Sequence, residues 1–218
     1  MKLKDTLRDF YEYLNSELKG AKLEEEEWAF SVFEDYLSHF SGLCDKTTSD
    51  EDKKLTCEVS ALGEKEINEF LHVFIIKQVA SSEEDIIAFI NAIERYSLWL
   101  FEKGFSDKVK KESFDKIISS CQNLPVASRL SEELFDLLTD ENEGEYSDKV
   151  SGIFIIQSVV KNIVSLKHIK AADVYKGIIF PEDVADFIME GMIIEAVIGK
   201  KDDSNYIISS GKVYLKQI

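Results

Sequence analysis

The sequence predicts a two-domain α+β protein: an acidic all-α domain of five to six helices over 1–140, a linker at 141–151, and a small β-barrel over 152–218. Three observations carry this reading. The formal net charge is −16, yet residues 148–218 hold nine lysines and nine acidic residues, so the whole excess lies in the first 147 positions. Apolar residues recur at helical spacing through the first two-thirds and change to short isoleucine- and valine-rich runs after 152. Between the two patterns, Asp140 to Ser151 (DENEGEYSDKVS) is acidic, polar and nearly free of large apolar residues.

Each helix has its own warrant. Leu3, Leu7, Phe10, Leu14 and Leu18 fall on one face, and Gly20 stops the first helix. Glu24 to Glu27 form an acidic first turn for a second, whose stripe is Ala29, Val32, Phe33, Tyr36, Leu37 and Phe40. Asp45 to Lys54 reads as a loop. A third helix covers about 64–79 and is apolar around most of its circumference, which makes it central. Ser81 and Glu84 suggest a capping box for a fourth, which Gly104 ends. A fifth runs from about Lys108 to Cys121, Pro125 sits in a break, and Glu132 to Leu138 gives a short sixth. An offset of 60 residues pairs Leu7 with Ile67, Phe10 with Phe70, Phe33 with Ile93 and Tyr36 with Tyr96. That pattern suggests two stacked helical hairpins.

In the second domain, 152–160 and 163–169 read as a hairpin across Lys161–Asn162, and 174–180 as a third strand. Pro181 opens a short helix at 182–189, where proline fits the first turn. A further strand covers 192–198, a charged turn follows at 199–204, and a last hairpin joins 206–209 to 212–216 across Ser210–Gly211. Short strands with one short helix suggest an SH3-like or OB-like barrel.

Residues 64–105 (EKEINEFLHVFIIKQVASSEEDIIAFINAIERYSLWLFEKGF) resemble the helical, SAM-like core-binding domain of tyrosine recombinases, with Phe70, Phe74, Ile93, Trp99, Leu100 and Gly104 carrying the likeness. A longer resemblance, over 64–218, is to an uncharacterised prokaryotic group with a helical hairpin followed by a small β domain. FLHVFIIKQVASSEE, LWLFEKG, LPVASRLSEELFDLL, KGIIFPEDVADFIMEG and NYIISSGKVYL carry it. It implies architecture and no activity. Recombinase chemistry needs an arginine-rich constellation, whereas the only arginines are Arg8, Arg95 and Arg129, all in the helical part.

The chemistry-bearing residues are sparse. No phosphate-binding glycine loop, nucleophile elbow or His-Glu-x-x-His pair occurs, so the sequence points to no catalytic residue and no cofactor. Cys44, Cys57 and Cys121 are read as reduced thiols, and with His39 they fit no zinc spacing. His72 and Cys121 are read as core residues, as are Trp28 and Trp99. The acidic clusters Glu24–Glu27 and Glu83–Asp85 suit helix N-termini; Asp50–Asp52 and Asp140–Glu145 suit solvated loops. No uncharged apolar run of about 18 residues and no signal-like N-terminus is present, so the expected compartment is the cytoplasm.

Function follows by elimination. The expectation is a non-catalytic interaction or adaptor protein, its partner another protein with a basic surface that the anionic chain steers. The alternative is a nucleic-acid-associated accessory factor acting through the barrel. Its surface site would combine Lys161, Lys167, Lys170 and Lys176 with Tyr175, Tyr206 and Tyr214. Against it stands the repulsion between a −16 chain and phosphates. An enzyme with an unrecognised site is the third reading.

Overall fold

The apolar periodicity of the first two-thirds builds helices that bury one stripe each. The computed structural model describes residues 1–43, 55–79, 82–138 and 145–215; the 45–54 loop, Cys44, Asp50–Asp52, Ser81 and most of the acidic linker lie outside them. Two compact units emerge, Met1–Gln122 and Asn123–Gln217. The division falls earlier in the chain than the 141–151 linker.

The first unit comprises α1 (Leu3–Glu17), α2 (Ala21–His39), α3 (Glu64–Glu69), a π-helical continuation over Phe70–Val79, α4 (Glu83–Glu102) and α5 (Lys108–Ser120). Leu3, Leu7, Phe10 and Leu14 of α1 are fully buried, as their spacing requires. Ser82, not Ser81, caps α4: its hydroxyl accepts the Asp85 N–H at 3.1 Å. Gly104 ends α4 at φ +73°, a conformation only glycine adopts without strain.

Aromatic rings fill this core. Phe10 lies 4.5 Å from Phe30 and 5.0 Å from Tyr96, edge to face, and Phe33 lies 4.9 Å from Phe70. Such pairs contribute about 0.5–1.5 kcal/mol each beyond area burial. Trp99 joins them, whereas Trp28 is 41% exposed, its ring tilted against that of Phe89 at 4.9 Å between centroids. The sequence announces a helix over Phe70–Val79 but not its π winding. The stretch carries Phe70, Leu71, His72, Ile75 and Ile76 into the core.

The second unit opens with α6 (Leu124–Leu137), eight residues ahead of the expected start at Glu132. Pro125 occupies the first turn, where its missing N–H has no helical partner to lose, so it begins the helix rather than breaking the chain. Five strands follow: β1 (Ser147–Val160), β2 (Ile163–His168), β3 (Val174–Ile179), β4 (Ile193–Lys201) and β5 (Ser204–Tyr214), with a 3-10 helix over Glu182–Phe187. The strand order is β1-β2-β3-β5-β4, with β4 returning to β1. Four pairings are antiparallel and β3–β5 is parallel. Every strand therefore has two neighbours, the β3–β5 contact being limited to Ile178–Asn205 and Ile179–Tyr206.

The expected hairpin at Ser210–Gly211 is absent; β5 runs through it. The chain reverses within the expected charged turn at 199–204, at Asp202–Asp203, both at positive φ, which short polar side chains tolerate in a two-residue hairpin turn. Gly211 serves packing: a Cβ there would lie 3.0 Å from Glu195 Oε2. Phe154, Ile156, Val164, Leu166, Ile178, Phe180 and Ile194 form the core together with Ala127, Leu130 and Leu134 of α6. Among the described residues no helix is long and apolar enough to cross a membrane.

Candidate interaction surface

Alternation along a strand sends every second residue outward, and the strand register connects those residues across the sheet. One outward row runs Val160 (β1), Ile163 (β2), Ile179 (β3), Tyr206 (β5) and Gly199 (β4). Their neighbours Val164, Ile178 and Ile207 are buried inside. A second row runs Val174 (β3), Lys167 (β2), Ile155 (β1) and Ile193 (β4) to Tyr214 (β5). Ile169 joins Ile153 through its N–H, which donates to the Ile153 carbonyl at 2.9 Å.

This outer face is unusually apolar. Val160, Ile163, Ile169, Val174 and Ile153 are each 37–68% exposed. A solvated face of an antiparallel sheet normally carries polar residues at such positions. Between residues 150 and 180 the charged side chains are Lys161, Lys167, Lys170, Lys176 and one acid, Asp173. All four lysines are exposed, and none makes an ion pair among the described residues.

The seven sequence-predicted site residues do not converge. Lys167 and Lys176 lie on the outward side of β2 and β3, Lys176 beside the bulge that Gly177 makes at φ +67°. Lys170 sits in the β2–β3 turn. Lys161 sits in the β1–β2 turn, about 20 Å from Lys167 at ~3.3 Å per residue. Tyr175 turns inward, its ring 5.8 Å from Phe154. Tyr206 faces outward with its ring against Tyr146, 5.9 Å away. The Tyr214 hydroxyl donates to Glu195 at 3.4 Å; burial, then that carboxylate, push it up to about 12. The isoleucines of this surface escaped notice because GIFIIQSVV and KGIIF read as undifferentiated apolar runs. Their lack of alternation was the signal of a strand apolar on both sides.

His168 organises the turn that carries Lys170. Its Nδ1 accepts the N–H groups of Lys170 at 3.0 Å and Ala171 at 3.1 Å, so Nδ1 carries no proton. Gly152 leaves room for the ring: a Cβ there would lie 2.6 Å from His168 Nε2. On the β1–β4–β5 side, a shallow depression of about 460 Å³ has Gly152, Ser151, Ser209 and Gly211 in its lining, with Glu195.

The helical unit offers a different constellation. The His72 ring lies 3.2 Å from the Ser120 hydroxyl and 3.7 Å from Cys121 Sγ. This resembles a thiol–imidazole pair, but its electrostatics are wrong for nucleophilic catalysis. Burial pushes the Cys121 thiol up to about 12 and lowers His72, so both stay neutral. The Cys121 side chain instead donates to the Ile117 carbonyl. Nearby, a groove of about 450 Å³ between α3 and α5 is lined by Glu64, Lys65, Asn68, Ser113, Lys116 and Ile117. Of the acidic clusters, Glu26 is buried against Arg95 at 3.1 Å, and Glu83–Asp85 occupy the first turn of α4. Among the described residues no three His, Cys, Asp or Glu side chains are grouped to hold a metal ion. Compared with family models, with curated proteins and with solved structures, the chain matches none.

Proposed function

We propose that the chain is a non-catalytic protein-interaction protein, and that the outer face of β1–β2–β3 is its docking surface. The observation that carries this reading is the band of exposed isoleucines and valines, joined by strand register and set among unpaired lysines. Exposed apolar surface marks sites of association, and here it forms two outward groups, Val160 with Ile163 and Ile153 with Ile169 and Val174, separated by the paired Ser158 and Ser165. We read the unit as an OB-like barrel rather than an SH3-like one. Supporting this are the order 1-2-3-5-4-1, the parallel β3–β5 pair and the short helix between β3 and β4. The buried thiol of Cys121 suits a reducing compartment such as the cytoplasm.

The nucleic-acid alternative has less support. Base stacking needs exposed rings beside cations. Here Tyr175 is turned inward, and Tyr206 leans on Tyr146. The nearest lysine to that ring pair, Lys201, is paired with Glu145.

The test is affinity capture from nuclease-treated native lysate, comparing the natural chain with an Ile163→Asp/Val174→Asp variant of unchanged thermal midpoint. A stoichiometric protein held by the natural chain and lost on the variant is the expected result. Retention that the variant leaves untouched, or that disappears with nuclease, overturns the proposal.

A further inference from the structure

The docking face and the chain as a whole carry opposite electrostatic signs. The chain has a formal net charge of −16, which by itself favours a basic partner. Charges more than a Debye length apart, about 8 Å at physiological salt, are largely screened. What a docked segment meets is therefore the local set. Across residues 150–180 that set is Lys161, Lys167, Lys170 and Lys176 against the single acid Asp173.

Position sharpens the point. Lys167 pairs in register with Ile155 on one side and Val174 on the other, so an ammonium stands between two outward aliphatic side chains. Two residues beyond Val174, Lys176 points the same way. Lys170 is held at the end of the face by the His168 bonds to the turn backbone. A second acid, Glu195 of β4, pairs in register with Ile153 at the margin of the face, where the Tyr214 hydroxyl binds it, so four lysines stand against two acids. Aliphatic patches interrupted by unpaired ammonium groups match a chain in which aliphatic residues are spaced by carboxylates.

We infer that the occupant of the β1–β2–β3 face is an acidic polypeptide segment bearing spaced aliphatic residues, its carboxylates meeting Lys167, Lys170 and Lys176. This rests on the docking reading above. The segment lies on the face, where the exposed aliphatic and lysine side chains stand; each strand has two neighbours, although β3 meets β5 only at Ile178 and Ile179. Aliphatic side chains give affinity through burial, and the lysines select sign and speed association.

Two short synthetic peptides with the same leucines test this, one with aspartate and one with lysine at the intervening positions. Each is titrated into the full chain while backbone amide shifts are followed. A single-stranded oligonucleotide and anionic phosphatidylserine vesicles serve as further probes. The expected result is that the aspartate peptide alone moves amides of Ile155, Ile163, Lys167 and Val174. Replacing both lysines, Lys167→Glu/Lys176→Glu, then weakens it at least about tenfold and admits the lysine peptide. The neutralising pair Lys167→Gln/Lys176→Gln gives the intermediate case should charge reversal disturb the sheet. Preference for the lysine peptide on the same amides overturns the charge inference and leaves the docking reading standing. Oligonucleotide or vesicles moving these amides, with the aspartate peptide silent, overturns it in favour of nucleic acid or lipid. No shift on this face with any probe overturns both.

Discussion

Leu134→Ala separates the two units experimentally. Leu134 is fully buried among Leu130, Phe154 and their neighbours in the second unit's core. Truncating a buried leucine costs about 2–5 kcal/mol, the transfer of the lost atoms plus the cavity left behind. For a domain in the 60–100-residue range, about 3 kcal/mol lowers the thermal midpoint by ~12–24 °C. The chain's two tryptophans, Trp28 and Trp99, both belong to Met1–Gln122. Tryptophan fluorescence therefore follows the helical unit, and amide exchange at Ile156, Val164 and Ile194 follows the strands. Leu134→Ala should speed exchange throughout the strands and leave the tryptophan urea midpoint in place. A lowered tryptophan midpoint with unchanged strand exchange would show that α6 belongs with the helices, and would refute the division.

Two more predictions follow from single residues. Burial holds His72 below its ordinary value, so the unfolded chain binds its proton more readily than the fold does. That contribution is fully present above about pH 6.5 and is lost as pH falls below it, at no more than about 1.4 kcal/mol per pH unit. The tryptophan urea midpoint should fall between pH 7 and 5, and His72→Leu should flatten the slope; an equal slope in both chains would remove His72 as the cause. Gly152→Ala puts a Cβ 2.6 Å from His168 Nε2. Moving the ring costs about 1–3 kcal/mol and strains both turn bonds, so the Lys170 and Ala171 amides should exchange faster than in the natural chain. Unchanged rates would mean that His168 does not hold the turn.

Helices were legible because their signal is local. Leu3, Leu7, Phe10 and Leu14 advertise a buried stripe at helical spacing, and the structure buries all four. The start of α6 is readable too, since Leu124, Ala127, Leu130 and Leu134 keep that spacing; Pro125 suggests a break in the sequence and is a first-turn residue in the structure. Ser210–Gly211 misled for a related reason. A serine–glycine pair signals either a turn or a close approach, and only the tertiary position of Glu195 decides.

What the sequence could not supply was registration. Lys161 and Lys167 looked like members of one cluster until pairing placed them at opposite ends of β2. Tyr175 looked available for stacking until its register with Leu166 turned it inward. His72 and Cys121 are 49 residues apart in sequence, and only packing of the π-helical stretch beside the end of α5 joins them.

On the proposed function, a partner docks on the outer face of β1–β2–β3. Hydrogen–deuterium exchange of the full chain, alone and with its captured partner, tests it most directly. Protection concentrated in peptides covering 153–155, 160–169 and 174–179, with α1 to α5 unchanged, is the predicted result. Protection confined to the helical unit, with these strands exchanging as in the free chain, would contradict it.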